Sequence, residues 1–292
     1  MGDFFIQQLI NGLSMGSLYA LVAVGYSMVY GFLNMMNFAH GEVYMLGGYM
    51  AYTFLSMKVG VFGSVIIAMI ICAAVGMGIE KFAYRPLRNA SRVIPLLTSI
   101  AAAQVVRSVV MIIWGSSPLF FPEVLNNDLI KLTPSLTFYP LQILIVSLTL
   151  GFWLFSLWLF KYTKIGKAVR AVSQDQQTAW LMGIQVNRMI SFVYAYGSAL
   201  AAVAGFLVAR YYLILFPQLG FLGVIRAWTA AVIGGIGNLT GAIVGGILIG
   251  LVESFTIAYI SSLYKDAIVF IILVIVLLVR PTGLFKGRGQ KV

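Results

Sequence analysis

The sequence predicts an all-α membrane protein that crosses the bilayer many times. Hydrophobic residues make up 61% of the 292 residues, charged residues only 9%, and the mean hydropathy is +0.98. Apolar runs long enough to span a bilayer, which takes about 20 residues, recur along almost the whole chain. Basic residues cluster in short segments between these runs, as positive-inside orientation predicts. We therefore expect one transmembrane domain covering residues 1–292.

Four apolar runs in the first part of the chain are predicted to cross the membrane. They are residues 6–32, 35–57, 61–80 and 93–114. The segment 81–92 between the last two is basic and contains no acidic residue, which indicates a cytoplasmic position. The net charge of +11 is explained by such segments better than by nucleic-acid binding.

The middle of the chain alternates between two polar segments and two further spans. Residues 116–140 contain four prolines and read as an irregular external loop. The span 141–160 then leads into the long polar segment 161–188, which we expect in the cytoplasm because it is rich in Lys and Arg. The next span covers residues 189–211.

The apolar stretch 223–260 decides where the basic C-terminal tail lies. A Gly-rich break at residues 234–241 divides this stretch. If the stretch crossed once, the tail after the last span, 267–279, would lie outside, whereas two passes place it in the cytoplasm. We expect about eight or nine membrane segments, some of them short or re-entrant, with an external N-terminus and a cytoplasmic C-terminus.

Small residues indicate where helices approach each other closely. Gly12, Gly16, Ala20 and Ala23 line one face of the first span. In the late Gly-rich stretch, glycines mark a helix break followed by a small-residue ridge. Transporters often place paired interrupted helices beside their pathway, and the early polar segment is a candidate partner for this break. The residues assigned to break and packing are Gly234, Gly235, Gly237, Gly241 and Gly245.

The early polar segment, residues 34–42, places Asn, His and Glu side chains in an otherwise apolar region. Ionisable groups at membrane depth are rare and usually face a protein interior or a water-filled path. Read as a helix, the segment presents a polar and small face that lines a path; alternatively, its Asn and His side chains cap a helix end. The candidate pathway residues are Asn34, Asn37, His40, Gly41 and Tyr44.

The remaining ionisable residues favour structural roles over chemistry. For Glu42 we favour an ion pair or an interfacial position over substrate contact, and for Arg226 snorkelling or a pair with Glu253. One His, one Cys and few carboxylates in the whole sequence do not supply a usual transition-metal shell. The chain also lacks a phosphate-binding loop and a Ser/His/Asp nucleophile set. We therefore expect no enzymatic activity and no cofactor bound by this chain.

Residues 165–184 are too apolar for a bare solvated loop. Their Ala, Val and Gln content suits short helices, and Gly183 suits a helix end. Packing on the membrane surface is one interpretation. Docking to a cytoplasmic partner is the one we favour.

Six motifs follow one another along the chain. They are GSLYAL from Gly16, GYSMVYG from Gly25, NFAHGE from Asn37, GKAVRA from Gly166, GGIGNLTGA from Gly234 and RPTGL from Arg280. Together they closely resemble the permease subunits of bacterial ABC importers for branched-chain amino acids. The resemblance covers nearly the whole chain, although the same family includes permeases for urea and short amides.

The resemblance implies a multi-subunit importer in the bacterial inner membrane. It implies a second related permease, two cytoplasmic ATPase subunits that use ATP, and a periplasmic binding protein, for which residues 116–140 are a candidate contact. Residues 165–184, within the cytoplasmic coupling segment 161–188, resemble the family's cytoplasmic loop that contacts the ATPase. An ion-coupled secondary transporter and a channel or scaffold remain as alternatives. The residues that match the ATPase-coupling loop are Gly166, Arg170, Ala171, Asp175, Ala179 and Gly183.

Overall fold

The computed structural model of the protein describes six stretches of the chain: residues 2–33, 36–88, 90–91, 93–125, 128–133 and 136–285. Within these residues, seven helices are long and apolar enough to cross a membrane. Two shorter helices pack among them and bring the membrane segments close to the predicted number. The predicted all-α polytopic fold is therefore confirmed.

Eleven α-helices follow one another along the described chain. They are α1 (Gly2–Leu33), α2 (Ala39–Ser56), α3 (Val61–Ile79), α4 (Val93–Trp114), α5 (Pro140–Tyr162), α6 (Lys164–Gln174), α7 (Gln176–Leu181), α8 (Val186–Tyr212), α9 (Leu219–Gly234), α10 (Leu239–Tyr259) and α11 (Lys265–Val279). A π-helical turn, Glu80–Tyr84, and a 3₁₀ turn, Arg85–Leu87, extend α3.

Four short strands lie in the loops at one end of the helices, which we call the first end. β1 (Leu119–Phe120) pairs antiparallel with β4 (Ile214–Leu215), and β2 (Ile130–Thr133) pairs antiparallel with β3 (Leu136–Phe138). The β1–β4 pair joins the loop after α4 to the loop after α8. These two loops therefore lie at the same end of the bundle.

The N-terminal part of α1 also reaches the first end. The backbone N–H of Thr137, in β3, donates to the side chain of Gln7 at 3.0 Å. At the end of α8, the guanidinium of Arg210 donates to the carbonyl oxygens of Val124 and Leu125. These bonds satisfy carbonyl groups in the irregular loop before β2, which has no ladder to pair them.

The opposite end, which we call the second end, holds the α9–α10 turn and the segment after α11. The backbone N–H groups of Leu284 and Phe285 donate to the carbonyl oxygens of Ile233 and Gly234, at 2.8 and 3.0 Å. The chain turns back between α9 and α10, at the Gly-rich break that the sequence predicts, and residues 280–285 return to the end at which α9 finishes.

The core of the bundle is built from α1, α2, α8 and α10. Helices α1 and α10 approach each other closely because glycines line their contact. A Cβ added to Gly16 would lie 2.7 Å from the Ile247 Cα, and one added to Gly12 would lie 2.9 Å from the Leu251 Cα. The predicted small face of α1 is thus buried against α10. In contrast, α3, α4, α5 and α11 expose large apolar side chains on the outside of the bundle, as lipid-facing helices do.

Candidate substrate pathway and coupling segment

The helix α2 begins at Ala39, later than the sequence analysis assumed. Asn37 therefore precedes the helix, and its placement on a helical face is wrong. It does not cap the helix either, because α2 has no side-chain cap bond. Its Oδ1 instead accepts a hydrogen bond from the Tyr84 hydroxyl at 2.9 Å, which ties the start of α2 to the end of α3. Asn34 lies outside the described residues.

The other three candidate pathway residues are buried in the first two turns of α2. His40 packs edge-on against the Tyr26 ring of α1, with centroids 6.2 Å apart. Gly41 meets the backbone of Gly220, and the ring of Tyr44 lies against Gly223. The start of α2 is therefore wedged between α1 and the start of α9 in this conformation.

The two interrupted segments form a different pair from the one suggested by the sequence. Residues 36–42 meet the beginning of α9 at Gly220, whereas the Gly-rich turn after α9 meets the end of α1, where a Cβ on Gly31 would lie 2.7 Å from the Gly237 Cα. The sequence did not show that α9 begins inside the bundle. Leu215, just before α9, is fully buried and contacts Gly48 of α2.

The Gly-rich turn is built on backbone contacts. Gly234 and Gly241 face each other so closely that neither has room for a Cβ, and Gly245 meets the backbone of Ala230. Gly235 and Gly237 have φ of +107° and +82°, a region that residues with a side chain rarely adopt. Asn238 then caps α10 by accepting from the N–H groups of Thr240 and Gly241 at 3.0 and 3.1 Å.

An ion pair between Glu42 and Arg107 crosses from α2 to α4. Glu42 is buried, and one of its oxygens accepts from Arg107. Its other oxygen, Oε2, has no partner and points at Gly220, since a Cβ there would lie 2.5 Å away. The structural ion pair that the sequence favoured for Glu42 is therefore present.

A second charge cluster links α1, α9, α10 and α11 around the buried carboxylate of Glu253. Glu253 accepts from the Tyr19 hydroxyl at 2.7 Å and lies 3.4 Å from Arg226 and 3.3 Å from Lys265. Arg226 also pairs with Asp266 of α11 at 3.0 Å. The Arg226–Glu253 pair, one of the two roles that the sequence left open for Arg226, is thus part of a larger network.

The segment 161–188 folds into two short capped helices at the second end. Thr163 caps α6 by accepting from the N–H of Gly166 at 3.1 Å, and a Cβ on Gly166 would clash with the last carbonyl groups of α5. Asp175 caps α7 by accepting from the N–H groups of Gln177 and Thr178 at 2.8 and 2.9 Å. The Arg170 guanidinium donates to the Lys161 carbonyl at 3.3 Å.

The end of α7 is closed by a glycine. The N–H of Gly183 donates to the Trp180 carbonyl, and that of Ile184 to the Ala179 carbonyl. Gly183 has φ +81° and nothing near its missing Cβ, as is typical of a glycine after a helix. Ala179 is buried against the bundle, and Ala171 is partly buried, so both helices are anchored from below.

The outer face of α7 is strongly apolar and exposed. Trp180, Leu181 and Met182 are 69, 75 and 78% exposed. Beside them lies an open groove of about 640 Å³, lined also by Arg85 and Arg88. An exposed apolar patch rimmed by charges is a mark of a protein or membrane contact.

A polar cavity of about 740 Å³ opens at the first end. Amide side chains of α1 and α5 form one of its walls, where Gln142 donates to Asn11 at 3.1 Å. Arg210, Glu123 and Asp128 add charges of both signs. The cavity therefore suits water and polar solutes at this end of the bundle.

Sequence reasoning missed Arg107 and the exposed Phe221 beside it. The available signal was that Arg107 is the one charged residue within the predicted span 93–114. Its guanidinium carbon lies 5.9 Å from the centre of the Phe221 ring of α9. Among the described residues, no group of His, Cys, Asp and Glu is arranged to hold a metal ion.

This arrangement defines a multi-pass membrane transport protein, with interrupted helices in its interior and a capped helical segment at its basic end. The chain belongs to the family described as branched-chain amino acid transport system / permease component, whose model matches residues 8–277. The predicted family assignment is confirmed.

Several curated relatives match nearly the whole chain. The high-affinity branched-chain amino acid transport system permease protein LivH of Salmonella typhimurium is 39% identical over 98% of this chain and 97% of its own length. The corresponding protein BraD of Pseudomonas aeruginosa is 40% identical, with the same shares. A probable LivH of Methanocaldococcus jannaschii is 30% identical over 92% of this chain and 88% of its own length.

Proposed function

We propose that this protein is the membrane-spanning permease subunit of an ATP-driven importer for branched-chain amino acids. The observation that carries the proposal is the likeness to LivH and BraD over 98% of the chain, which includes every segment of the site. The substrate class comes from the names of those relatives. The alternating-access mechanism is supported by the interrupted interior helices α2 and α9.

The distribution of charge supports an orientation with the second end in the cytoplasm. Positive residues dominate cytoplasmic segments of membrane proteins, whereas the first end combines acidic and basic residues. In this orientation the N-terminus is periplasmic and the C-terminus cytoplasmic. The basic residues at the second end are Lys81, Arg85, Arg88, Lys161, Lys164, Lys167, Arg170, Arg188 and Arg280.

The coupling segment, residues 161–188, is proposed to dock on a separate ATPase subunit. Its helices are held rigidly by the Thr163 and Asp175 caps, while its outer face exposes Trp180, Leu181 and Met182. A rigid segment with an exposed apolar end transmits movement of the ATPase to the membrane helices, because the segment is continuous with α5 on one side and α8 on the other. The residues that shape and anchor this segment are Gly166, Arg170, Ala171, Asp175, Ala179 and Gly183.

The chain itself is proposed to bind no ATP and no other cofactor. The sequence has no phosphate-binding loop, so the nucleotide would act on the two partner ATPase subunits. A second related permease completes the pathway, and a periplasmic binding protein delivers substrate at the first end. Residues 116–140 and the polar cavity beside them are the contact that we propose for delivery.

Asn37, His40, Gly41 and Tyr44 are proposed to act at the point where α2 begins. They are packed against α1, α3 and α9 in this conformation. When the bundle opens, the start of α2 would separate from the start of α9 and expose them to the path. Their role is therefore that of an inner wall that is closed here.

Uptake by reconstituted vesicles tests the proposal. The chain is co-purified with its partner permease and ATPase subunits, placed in vesicles, and supplied with binding protein and radiolabelled leucine. We expect uptake that requires ATP and every subunit, with urea and short amides failing to compete. Uptake by this chain alone, driven by a proton or sodium gradient, would refute the proposal.

A further inference from the structure

Two arginines lie in the middle of membrane helices and remain partly exposed. Among the described membrane helices, Arg107 in α4 and Arg226 in α9 are the basic residues more than one turn from either helix end. Their side chains are 21 and 18% exposed. An exposed guanidinium in the hydrocarbon region costs several kcal/mol, about 3 on the scale measured by membrane insertion. The Arg226 guanidinium reaches Asp266 in the first turn of α11, whereas the Arg107 guanidinium pairs with the buried Glu42. The exposed surface at Arg107 is therefore not expected to face lipid.

Both arginines border the same helix. Arg107 reaches α9 from the side of α2 and α4, where it pairs with Glu42 and lies over the Phe221 ring. Arg226 leaves α9 on the side of α10 and α11, where it pairs with Glu253 and Asp266 and lies 5.4 Å from the centre of the Tyr19 ring. The N-terminal half of α9 is thus flanked by a cation on each side.

Between the arginines, α9 exposes apolar side chains. Phe221 and Leu222 are 51 and 41% exposed. We call this surface, formed by Phe221, Leu222, Arg107 and Arg226, the α9 face. In contrast, α3 exposes apolar side chains such as Ile66 and Ile70 and contains no charged residue, so its surface suits lipid tails.

We propose that the α9 face is the wall of the substrate path that contacts a zwitterionic amino acid with an aliphatic side chain. This inference rests on the proposed function and specifies where the substrate passes. The guanidinium groups of Arg107 and Arg226 offer hydrogen bonds to the carboxylate. Phe221 and Leu222 contact the aliphatic side chain.

The charge balance of the wall suits passage rather than tight binding. Each arginine already has a carboxylate partner, so the wall carries no strong net field that would retain a charged solute. Glu42 also keeps one oxygen without a partner, which an ammonium group is able to approach once α2 and α9 separate. The arginines are therefore available to the carboxylate of a zwitterionic substrate and Glu42 to its ammonium group, without binding the substrate tightly.

Thiol labelling in the assembled importer tests the wall without relying on the identity of the substrate. Leu222→Cys is compared with Ile70→Cys, an exposed site on α3, using a charged, membrane-impermeant thiol reagent. The buried Cys72 of the unmodified chain sets the background. Because the thiolate is the reactive species and forms only in water, we expect Leu222→Cys to react about tenfold or more faster than Ile70→Cys. Equal, slow labelling at both sites would overturn the proposal.

A second pair of variants tests contact with the substrate. Phe221→Ala is compared with Phe62→Ala, which removes an exposed ring from α3. We expect Phe221→Ala to lower the leucine transport rate about tenfold with little change in assembly of the importer. Phe62→Ala should leave the transport rate unaltered. Equal effects of the two variants would overturn the proposal. If leucine is not transported by the unmodified importer while Leu222→Cys still labels rapidly, the assigned substrate fails and the water-lined wall stands.

Discussion

The seam between α1 and α10 and the α9 face differ in the side chains that they place inside the same bundle. In the seam, glycines such as Gly16 and Gly250 remove side chains so that two backbones touch. In the α9 face, Arg107 and Arg226 are long charged side chains that come from the middle of membrane helices, and each pairs with a carboxylate. At these glycines the seam is a close backbone contact, whereas the face carries charged and apolar side chains that stay partly exposed.

This difference separates the scaffold from the working surface. Close backbone packing in lipid gains dispersion energy over a large contact and tolerates no added volume. Charged pairs at membrane depth are costly and are retained where function needs them. We therefore expect changes in the seam to affect folding first, and changes at the α9 face to affect transport first.

The largest effect is expected for Gly16→Leu in the seam. A side chain there meets the backbones of Gly246 and Ile247, so α1 and α10 have to separate, at a cost of about 3 kcal/mol or more. Little folded protein should be recovered from membranes, as judged by size-exclusion chromatography. The matched control is Gly151→Leu on α5, where nothing lies near the added Cβ; an equal loss in both variants would contradict the scaffold role.

The next effect is expected for Glu42→Gln, which leaves Arg107 without its partner. Removing one member of a buried pair is strongly destabilising, and because Arg107 is partly exposed we expect about 2 kcal/mol. The double variant Glu42→Gln/Arg107→Gln should recover most of this loss of thermal stability. If the double variant is as unstable as the sum of both single changes, the two residues do not act as a pair.

Transport in the double variant sharpens the comparison. If the pair only holds α2 to α4, restored stability restores leucine uptake. Because we assign Arg107 to the path, we expect uptake to stay low although the protein is stable. The exposed loop change Lys58→Gln serves as the control and should alter stability by less than about 0.5 kcal/mol.

Changes at Gly183, at the end of α7 in the coupling segment, are expected to alter stability less but to impair coupling to the ATPase. Gly183→Ala places a side chain at φ +81° and costs about 1 kcal/mol of local strain. Gly183→Trp adds bulk that nothing in this chain opposes, so it should also block docking of the ATPase.

Substrate-stimulated ATPase activity separates these two variants of Gly183. We expect it to persist in Gly183→Ala and to be lost in Gly183→Trp, while both insert into the membrane. Arg170→Glu, which loses the bond to the Lys161 carbonyl, should likewise uncouple. Unchanged stimulated turnover in Gly183→Trp and Arg170→Glu would remove the coupling assignment.

The smallest effect is a dependence of α7 on pH. Backbone N–H groups of Thr178 and Gln177 hold the pKa of the Asp175 carboxyl below its usual value of 3.8. A lowered pKa means that the cap contributes fully above pH 3.8 and is lost as the pH falls through the folded value. The protection factors of the α7 amides, which are exchange rates corrected for the intrinsic effect of pH, should therefore stay constant from neutral to mildly acidic pH and fall only in stronger acid. A loss of protection already near pH 6 would contradict this cap.

The sequence predicted the spans well because their boundaries are local. The run 93–114 coincides with α4, and the Gly-rich break at 234–241 matches the turn between α9 and α10. Charge and hydropathy act on each segment separately, so a single chain is sufficient to read them. The caps of α6 and α7 are local as well, although the roles assigned to their residues stay predictions.

The interior of the site was not predictable in the same way. Glu42 and Arg107 are 65 positions apart, and nothing in either segment specifies the other. The burial of Leu215 and the start of α9 inside the bundle depend on the β1–β4 pair and on glycine contacts with α2. Helical periodicity also placed Asn37 on a face of α2, although the Tyr84 hydroxyl holds it just before the helix begins.

Hydrogen exchange in the assembled importer tests the contrast between scaffold and wall most directly. Peptides covering residues 219–226 of α9 are compared with peptides covering residues 241–250 of α10, with and without ATP and loaded binding protein. We predict that the α9 amides exchange about tenfold faster during turnover, a difference of about 1.4 kcal/mol in opening free energy, while the α10 amides do not change. Equal protection of both segments under all conditions would contradict the account.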